Sequence, residues 1–89
     1  MKIVWHEEKR RQNFAKHKLD FRDAESVFDG PTFTLEDDRL DYHEQRWVTL
    51  GLLRGIVVLI VHTETMDTIR VISMRKATQN EQSFFFTSL

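Results

Sequence analysis

The chain has 89 residues, 40% hydrophobic and 30% charged, a balance that is typical of one globular domain over residues 1–89. It contains no cysteine, which excludes a disulfide framework and a thiolate metal site. The longest apolar run, residues 56–61, is too short to span a bilayer, and the N-terminus lacks the apolar stretch of a signal peptide. We therefore expect a soluble, cytoplasmic protein.

The first residues predict a short strand followed by two helices. Residues 3–5 are apolar, and residues 7–16 are good helix formers with acids first and bases last, an order that complements the helix dipole. Apolar residues at helical spacing indicate a second short helix: Phe21, Ala24, Val27 and Phe28. Asp20 is its expected N-cap, and Gly30-Pro31 ends it.

The remainder predicts strands over residues 32–35, 45–53, 56–61 and 69–74, with a turn at 36–39 and a bulge at Gly51. Alternation along the last strand sets Ile69, Val71 and Ser73 against Arg70, Ile72 and Met74 on the opposite face. A last helix is expected to start within residues 76–82, and an apolar tail follows over residues 83–89.

The expected fold is therefore one α+β domain. It has a short N-terminal strand, two helices, an antiparallel four-strand meander and a short C-terminal helix or tail.

The net charge of −1 conceals a segregation of charge along the chain. Residues 1–22 carry seven Lys and Arg against three acids, residues 23–45 carry one against eight, and residues 46–89 carry five against three. Because the overall charge gives no attractive field for a polyanion, nucleic-acid binding would need a local patch built from the two ends. Charge blocks that merely solvate a face explain the composition equally well.

One side of the first predicted helix carries candidate phosphate ligands. Lys9, Asn13 and His17 recur every four residues, and Lys16 lies beside them. The alternative, which the helix taken alone favours, is a solvated face whose His17 lies near a helix C-terminus, where a cation is stabilised.

The late strands supply candidate arginines. Arg70 and Arg75 flank residues 71–74, including Ser73, and a guanidinium on a rigid sheet can grip a phosphate with its planar fork. Glu44 and Arg46 add a carboxylate and another guanidinium before an earlier strand. Each arginine taken singly is better explained as part of a surface ion pair, but the set weakens that explanation.

Other chemistries lack their motifs. The four histidines show no paired metal spacing, no glycine-rich loop is present, and Ser73 lacks the setting of a nucleophile elbow. We therefore expect no metal and no cofactor.

Three separated blocks resemble the BrnT family. The first is Trp5-x3-Lys9-x3-Asn13-x2-Lys16-His17 with Phe21-x2-Ala24 and Val27-Phe28, the second is Glu44-x-Arg46 followed by Gly51, and the third is residues 69–77. The chain departs from the usual pattern at four places. It has His6 for Asp, Lys18 for Gly and Met74 for Ala, and Glu81-Gln82 followed by phenylalanines in place of Glu-Arg followed by Tyr.

The resemblance implies a RelE-like fold and metal-independent RNA cleavage that inhibits translation and growth. It also implies a BrnA-like antitoxin with a ribbon-helix-helix domain, through which alone the pair binds operator DNA. His17 or Glu44 would act as base or acid, and Arg46, Arg70, Arg75 and Lys9 would stabilise the phosphate. Asn13, Lys16 and Ser73 are further expected phosphate ligands.

A competing interpretation is a non-catalytic module that binds an antitoxin and acts as operator co-repressor. Direct DNA binding has less support, because no helix-turn-helix spacing with a basic recognition helix is present. Three consecutive phenylalanines, Phe84 to Phe86, cannot all face one way. At least one is therefore expected to be covered by the antitoxin or by a second copy in a homodimer.

Overall fold

A computed structural model describes residues 1–38 and 43–89. The elements in chain order are β1 (Lys2–Trp5), α1 (Glu7–His17), a 3₁₀ turn (Phe21–Asp23), α2 (Ala24–Asp29), β2 (Thr32–Asp37), β3 (Arg46–Leu53), β4 (Ile56–Glu64), β5 (Thr68–Lys76) and α3 (Gln79–Ser88). The α+β class is confirmed. β2 continues past its predicted end at residue 35, and Arg39 of the predicted turn lies outside the described residues.

In the described parts of the chain, five strands form one mixed sheet in the order β1-β5-β4-β3-β2. Strands β2 to β5 are antiparallel neighbours, whereas β1 adds parallel to β5, with Lys2 opposite Thr68. The sheet therefore has one strand more than the predicted antiparallel four-strand meander, because the N-terminal strand β1 joins it as a fifth. A short apolar strand carries no local sign of the partner it will pair with.

Each face of the sheet covers a separate core. The α2 face packs against the segment from residue 19 to the end of α2, and its buried residues are Leu19, Phe21, Ala24, Val27, Leu53, Val58, Ile60, Ile69, Val71 and Met74. The α3 face carries a smaller core: Leu50, Val57, Leu59, Val61, Ala77 and Phe85. Phe85 is buried while Phe84 and Phe86 are 43% and 55% exposed, so the three phenylalanines do not face one way.

A bulge interrupts β5. Val61 of β4 lies opposite Ser73, but the next residue, His62, lies opposite Val71, which leaves Ile72 as the extra residue. Between these two pairs β5 has one residue more than β4. The alternation of side chains between the two faces of the sheet is therefore interrupted at Ile72.

Because of the bulge, two side chains of β5 lie on faces other than those predicted. Met74 lies in the core of the α2 face together with Ile69 and Val71, so its predicted placement beside Arg70 was wrong. Ser73 was predicted on the face of Ile69. It is paired with Val61 of the α3-face core, so it lies on the opposite face of the sheet.

Gly51 does not mark a bulge, contrary to the prediction. Its pairing is continuous on both sides, with Thr32 in β2 and Val58 in β4. A Cβ atom at Gly51 would lie 2.6 Å from Cγ1 of Val27. The glycine is needed because α2 packs closely against β3.

Two departures from the BrnT pattern lie at the ends of α1. His6 is the N-cap residue, and its side chain makes no capping hydrogen bond, whereas an aspartate there could accept one. Lys18 is the C-cap residue with φ of 60°, and its N–H donates to the carbonyl of Phe14 at 2.9 Å. Glycine adopts that left-handed conformation without the steric cost of a Cβ atom.

Replacing Lys18 with glycine is expected to raise the free energy of unfolding by about 1 kcal/mol, because it removes the strain of the left-handed residue. Urea denaturation of the purified variant measures this change. Lys18→Ala is the control, since it removes the same charge and keeps the Cβ atom. A glycine variant no more stable than the alanine variant would contradict the explanation.

Candidate functional site

A shallow pocket of about 250 Å³ lies between α1 and β5. We call it the helix–strand pocket, and its lining residues are Lys9, Gln12, Asn13, Lys16, His17, Ile72 and Ser73. The structure thus brings together all the predicted residues of α1 and adds Ser73 from a strand far away in sequence. Gln12 was not predicted, because nothing in the sequence distinguishes this exposed glutamine from any other surface residue of a helix. Among the described residues, the lining contains no carboxylate.

Asn13 holds the two walls of the pocket together. Its Nδ2 donates to the carbonyls of Leu19 at 3.1 Å and Met74 at 2.9 Å, and its Oδ1 accepts from the Met74 N–H at 3.0 Å. The β1–β5 register ends at Val71, so beyond that point the Asn13 side chain takes the place of a strand partner. Both its N–H groups are used, and the residue is only 8% exposed. The geometry therefore gives Asn13 a role in positioning rather than in direct phosphate contact.

Arg70, Glu44 and Arg46 form a second group, the arginine cluster. Arg70 Nη2 donates to both carboxylate oxygens of Glu44, at 2.7 and 2.8 Å, and Arg46 Nε lies 3.8 Å from Glu44 Oε1. Since the Arg70 and Glu44 side chains are 41% and 43% exposed, their ion pair contributes at most about 1 kcal/mol to stability. Arg70 lies two residues before Ile72, the first lining residue of β5, so the cluster begins roughly 7 Å from the pocket along the strand.

Arg75 is not part of the pocket lining. Its Nη1 and Nη2 donate to the two carboxylate oxygens of Glu81 at 2.8 and 3.0 Å. Glu81 also accepts from the Thr78 N–H at 2.8 Å and forms with Thr78 the capping box of α3. The hydrogen bond from Arg75 lowers the pKa of Glu81 to about 2. Arg75 therefore anchors the start of α3 to β5.

A chain of polar side chains, buried at Thr49 and His62, crosses the α2 face, away from the pocket. The Thr34 and Thr49 hydroxyls are hydrogen-bonded at 2.7 Å, and Thr49 Oγ1 is hydrogen-bonded to Nε2 of His62 at 2.7 Å. His62 is fully buried, and the edge of its ring contacts Phe28. Burial disfavours the charged imidazolium and lowers the pKa of His62 to about 4.

Stability is expected to fall as the pH drops from 6.5 to 4. The unfolded chain binds a proton at His62 near pH 6.5 and the folded chain only near pH 4, so protons favour the unfolded state in this window. The full loss is on the order of 3 kcal/mol. Urea denaturation across this range measures it, with His62→Gln as the control that removes the titration. The same loss in that variant would contradict the assignment to His62.

None of the helices in residues 1–38 and 43–89 has both the length and the apolar character that crossing a membrane requires.

Comparison with known proteins identifies the family, although comparison with curated proteins gives no match. A family model described as the ribonuclease toxin BrnT of a type II toxin–antitoxin system matches residues 5–81, most of the chain. The chain therefore belongs to the BrnT family of type II toxin–antitoxin ribonuclease toxins.

Proposed function

We propose that this chain is an endoribonuclease that binds RNA along the helix–strand pocket and the neighbouring arginine cluster. The observation that carries the proposal is the lining of the pocket, where Lys9, Lys16 and His17 of α1 meet Ser73 of β5. These side chains supply two ammonium groups, an imidazole and a hydroxyl, which can bind phosphate oxygens and transfer protons. Family membership independently supports ribonuclease chemistry.

The proposed reaction is metal-independent transesterification. A general base takes the proton of the ribose 2′-hydroxyl, the 2′-oxygen attacks the adjacent phosphorus, and the bond to the 5′-oxygen breaks as that oxygen gains a proton. The products are a 2′,3′-cyclic phosphate and a 5′-hydroxyl end. Histidine suits both proton transfers near neutral pH, and Glu44 is already bound by Arg70, so His17 is the proposed acid–base residue.

Stabilisation of the developing phosphorane charge is assigned to Lys9, Lys16 and Arg70. Arg46, whose Nε lies 3.8 Å from the same Glu44, is assigned a supporting role in it. Ser73 donates to a phosphate oxygen from the wall of the pocket. Asn13 and Arg75 act through other residues, because Asn13 fixes α1 against β5 and Arg75 fixes α3.

We further propose a RelE-like fold and an antitoxin partner of the ribbon-helix-helix type, through which the pair binds its operator. What supports the fold is the arrangement of two N-terminal helices before the antiparallel strands β2 to β5. What supports an antitoxin is membership in a type II toxin–antitoxin family.

Incubation of the purified chain with an RNA oligonucleotide in the presence of EDTA tests the proposal. We expect cleavage to cyclic-phosphate and 5′-hydroxyl ends and none of the all-2′-deoxy oligonucleotide, which lacks the attacking hydroxyl. His17→Gln should abolish cleavage, whereas His6→Gln, at an exposed position outside the pocket, should not. Expression of the chain without a partner should arrest growth. An intact RNA and normal growth with folded protein would contradict the proposal.

A second candidate function is a non-catalytic module that binds an antitoxin. It is favoured by one observation: Arg70 and Arg75 are both bound to carboxylates of the chain itself, Glu44 and Glu81. The same cleavage assay separates the two candidates, since a module of this kind would leave RNA intact.

A further inference from the structure

The carboxylate of Glu44 lies on the guanidinium of Arg70. Both of its oxygens accept from Arg70 Nη2, at 2.7 and 2.8 Å, and Glu44 Oε1 lies 3.8 Å from Nε of Arg46. Among the residues that the structure describes, Glu44 is the only carboxylate paired with Arg70. Arginine binds carboxylates and phosphates through the same N–H groups, so Glu44 lies where a phosphate of a ligand would bind.

Arg70 points to the same face of the sheet as the strand wall of the helix–strand pocket. It lies opposite Thr63 of β4, and Ser73 lies opposite Val61, two residues away on that strand. Residues two apart on a strand share a face, and so do directly opposed residues of an antiparallel pair. Arg70 and Ser73 therefore share a face, which the extra residue of the bulge makes possible. An RNA strand bound at Ser73 can continue to Arg70.

The contact between Arg70 and Glu44 is looser than that between Arg75 and Glu81. Arg75 donates from two nitrogens to two oxygens, and the Thr78 N–H donates to the same carboxylate. Arg70 donates to Glu44 from one nitrogen only, and the two side chains are 41% and 43% exposed. An exposed ion pair changes an equilibrium by a factor of about five at most. A phosphate that also has neighbouring contacts can therefore displace Glu44.

We propose that Glu44 is an internal competitor of RNA. Its carboxylate occupies the phosphate position on Arg70 in the chain without RNA, and bound RNA displaces it. The inference rests on the proposed function, because it takes the arginine cluster as part of the RNA-binding surface.

Two other roles for Glu44 predict different results. A support that orients Arg70 would be needed for RNA binding. A general base would be needed for cleavage but not for binding. A competitor alone makes RNA bind more tightly when its charge is removed, so binding and cleavage measured separately distinguish the three roles.

Binding of a short all-2′-O-methyl RNA oligonucleotide, followed by fluorescence anisotropy at one fixed salt concentration, tests the inference. This RNA has no 2′-hydroxyl to attack the phosphorus, so it stays intact during the measurement. Glu44→Gln keeps the size of the side chain and removes its charge. We expect this variant to bind about fivefold more tightly than the unaltered chain, because no carboxylate competes for Arg70.

Asp23→Asn is the matched control. Asp23 also pairs with an exposed arginine, Arg54, at 3.6 Å, and its substitution changes the net charge by the same amount. Its affinity for the oligonucleotide should stay within about twofold of that of the unaltered chain, the change that one distant surface charge makes. In an Arg70→Ala background, Glu44→Gln should give no larger gain than Asp23→Asn, because no guanidinium is left to be exposed.

Equal gains from Glu44→Gln and Asp23→Asn would assign the effect to net charge and overturn the inference. Weaker binding by Glu44→Gln would make Glu44 a support of Arg70, and unchanged binding with lost cleavage would make it the general base; either result overturns the inference, as does absence of binding by every chain. Cleavage of ordinary RNA judges the proposed function separately. Intact RNA together with tighter binding by Glu44→Gln would contradict the ribonuclease and support the competitor.

Discussion

Asn13→Ala is expected to lower the free energy of unfolding by about 4 kcal/mol. The substitution removes three hydrogen bonds and leaves the Met74 N–H and the carbonyls of Met74 and Leu19 without the partner they have in the folded chain. Each buried polar group left unsatisfied costs about 1–3 kcal/mol. Urea denaturation followed by circular dichroism measures the loss.

The neighbouring Gln12→Ala is the control for Asn13, since Gln12 lines the same pocket but is exposed. Its expected effect is within about 0.5 kcal/mol. Asn13→Asp separates the bonds, because it keeps the acceptor for the Met74 N–H and loses both donors. If Asn13→Ala unfolded at the same urea concentration as Gln12→Ala, the residue would not hold α1 to β5.

Arg70→Ala is expected to slow RNA cleavage about a hundredfold, because it removes a fixed positive charge proposed to stabilise the phosphorane. Stability should change by less than about 1 kcal/mol, since the Arg70–Glu44 pair is exposed. Initial rates on one RNA oligonucleotide and urea denaturation measure the two effects. Arg70→Lys should restore only part of the rate, because lysine keeps the charge without the planar fork.

Arg54→Ala is the matched control for Arg70. Arg54 is also an exposed arginine with a carboxylate partner, Asp23, at 3.6 Å, but it lies in the turn between β3 and β4. Cleavage at the normal rate by Arg70→Ala, or an equal loss in both variants, would remove Arg70 from the proposed site.

Local spacing was sufficient to predict the helices. Phe21, Ala24 and Val27 recur at helical intervals and are all fully buried. Asp20 accepts an N-cap hydrogen bond from the Arg22 N–H, but it caps the 3₁₀ turn that precedes α2, and the N-cap of α2 itself is Asp23. These features depend on neighbours within one or two turns, which the sequence displays directly.

The pairing of distant segments was not predictable in the same way. Nothing near residue 2 indicates that Lys2 will lie opposite Thr68. The bulge at Ile72 leaves no sign either, yet it moves Met74 to the opposite face. Gly51 shows a different difficulty, since a glycine that permits a bulge and one that permits a close approach look the same in a sequence.

The candidate site was likewise predictable where it depends on local spacing and not where it depends on the packing of distant segments. The spacing of Lys9, Asn13 and His17 predicted that they share one side of α1, and they do line one pocket. Spacing alone did not show that Asn13 would turn inward to the main chain of β5, or that Ser73 would form the facing wall. Those facts depend on where α1 lies against the sheet.

The helix–strand pocket is built from the first helix and the last strand of the chain. During synthesis, α1 leaves the ribosome early, but its facing wall does not exist until β5 has also been made. A product that terminates anywhere before residue 68 lacks Ser73, Arg70 and the Met74 main chain that Asn13 binds. A chain whose synthesis has not yet passed β5 therefore contains no complete pocket.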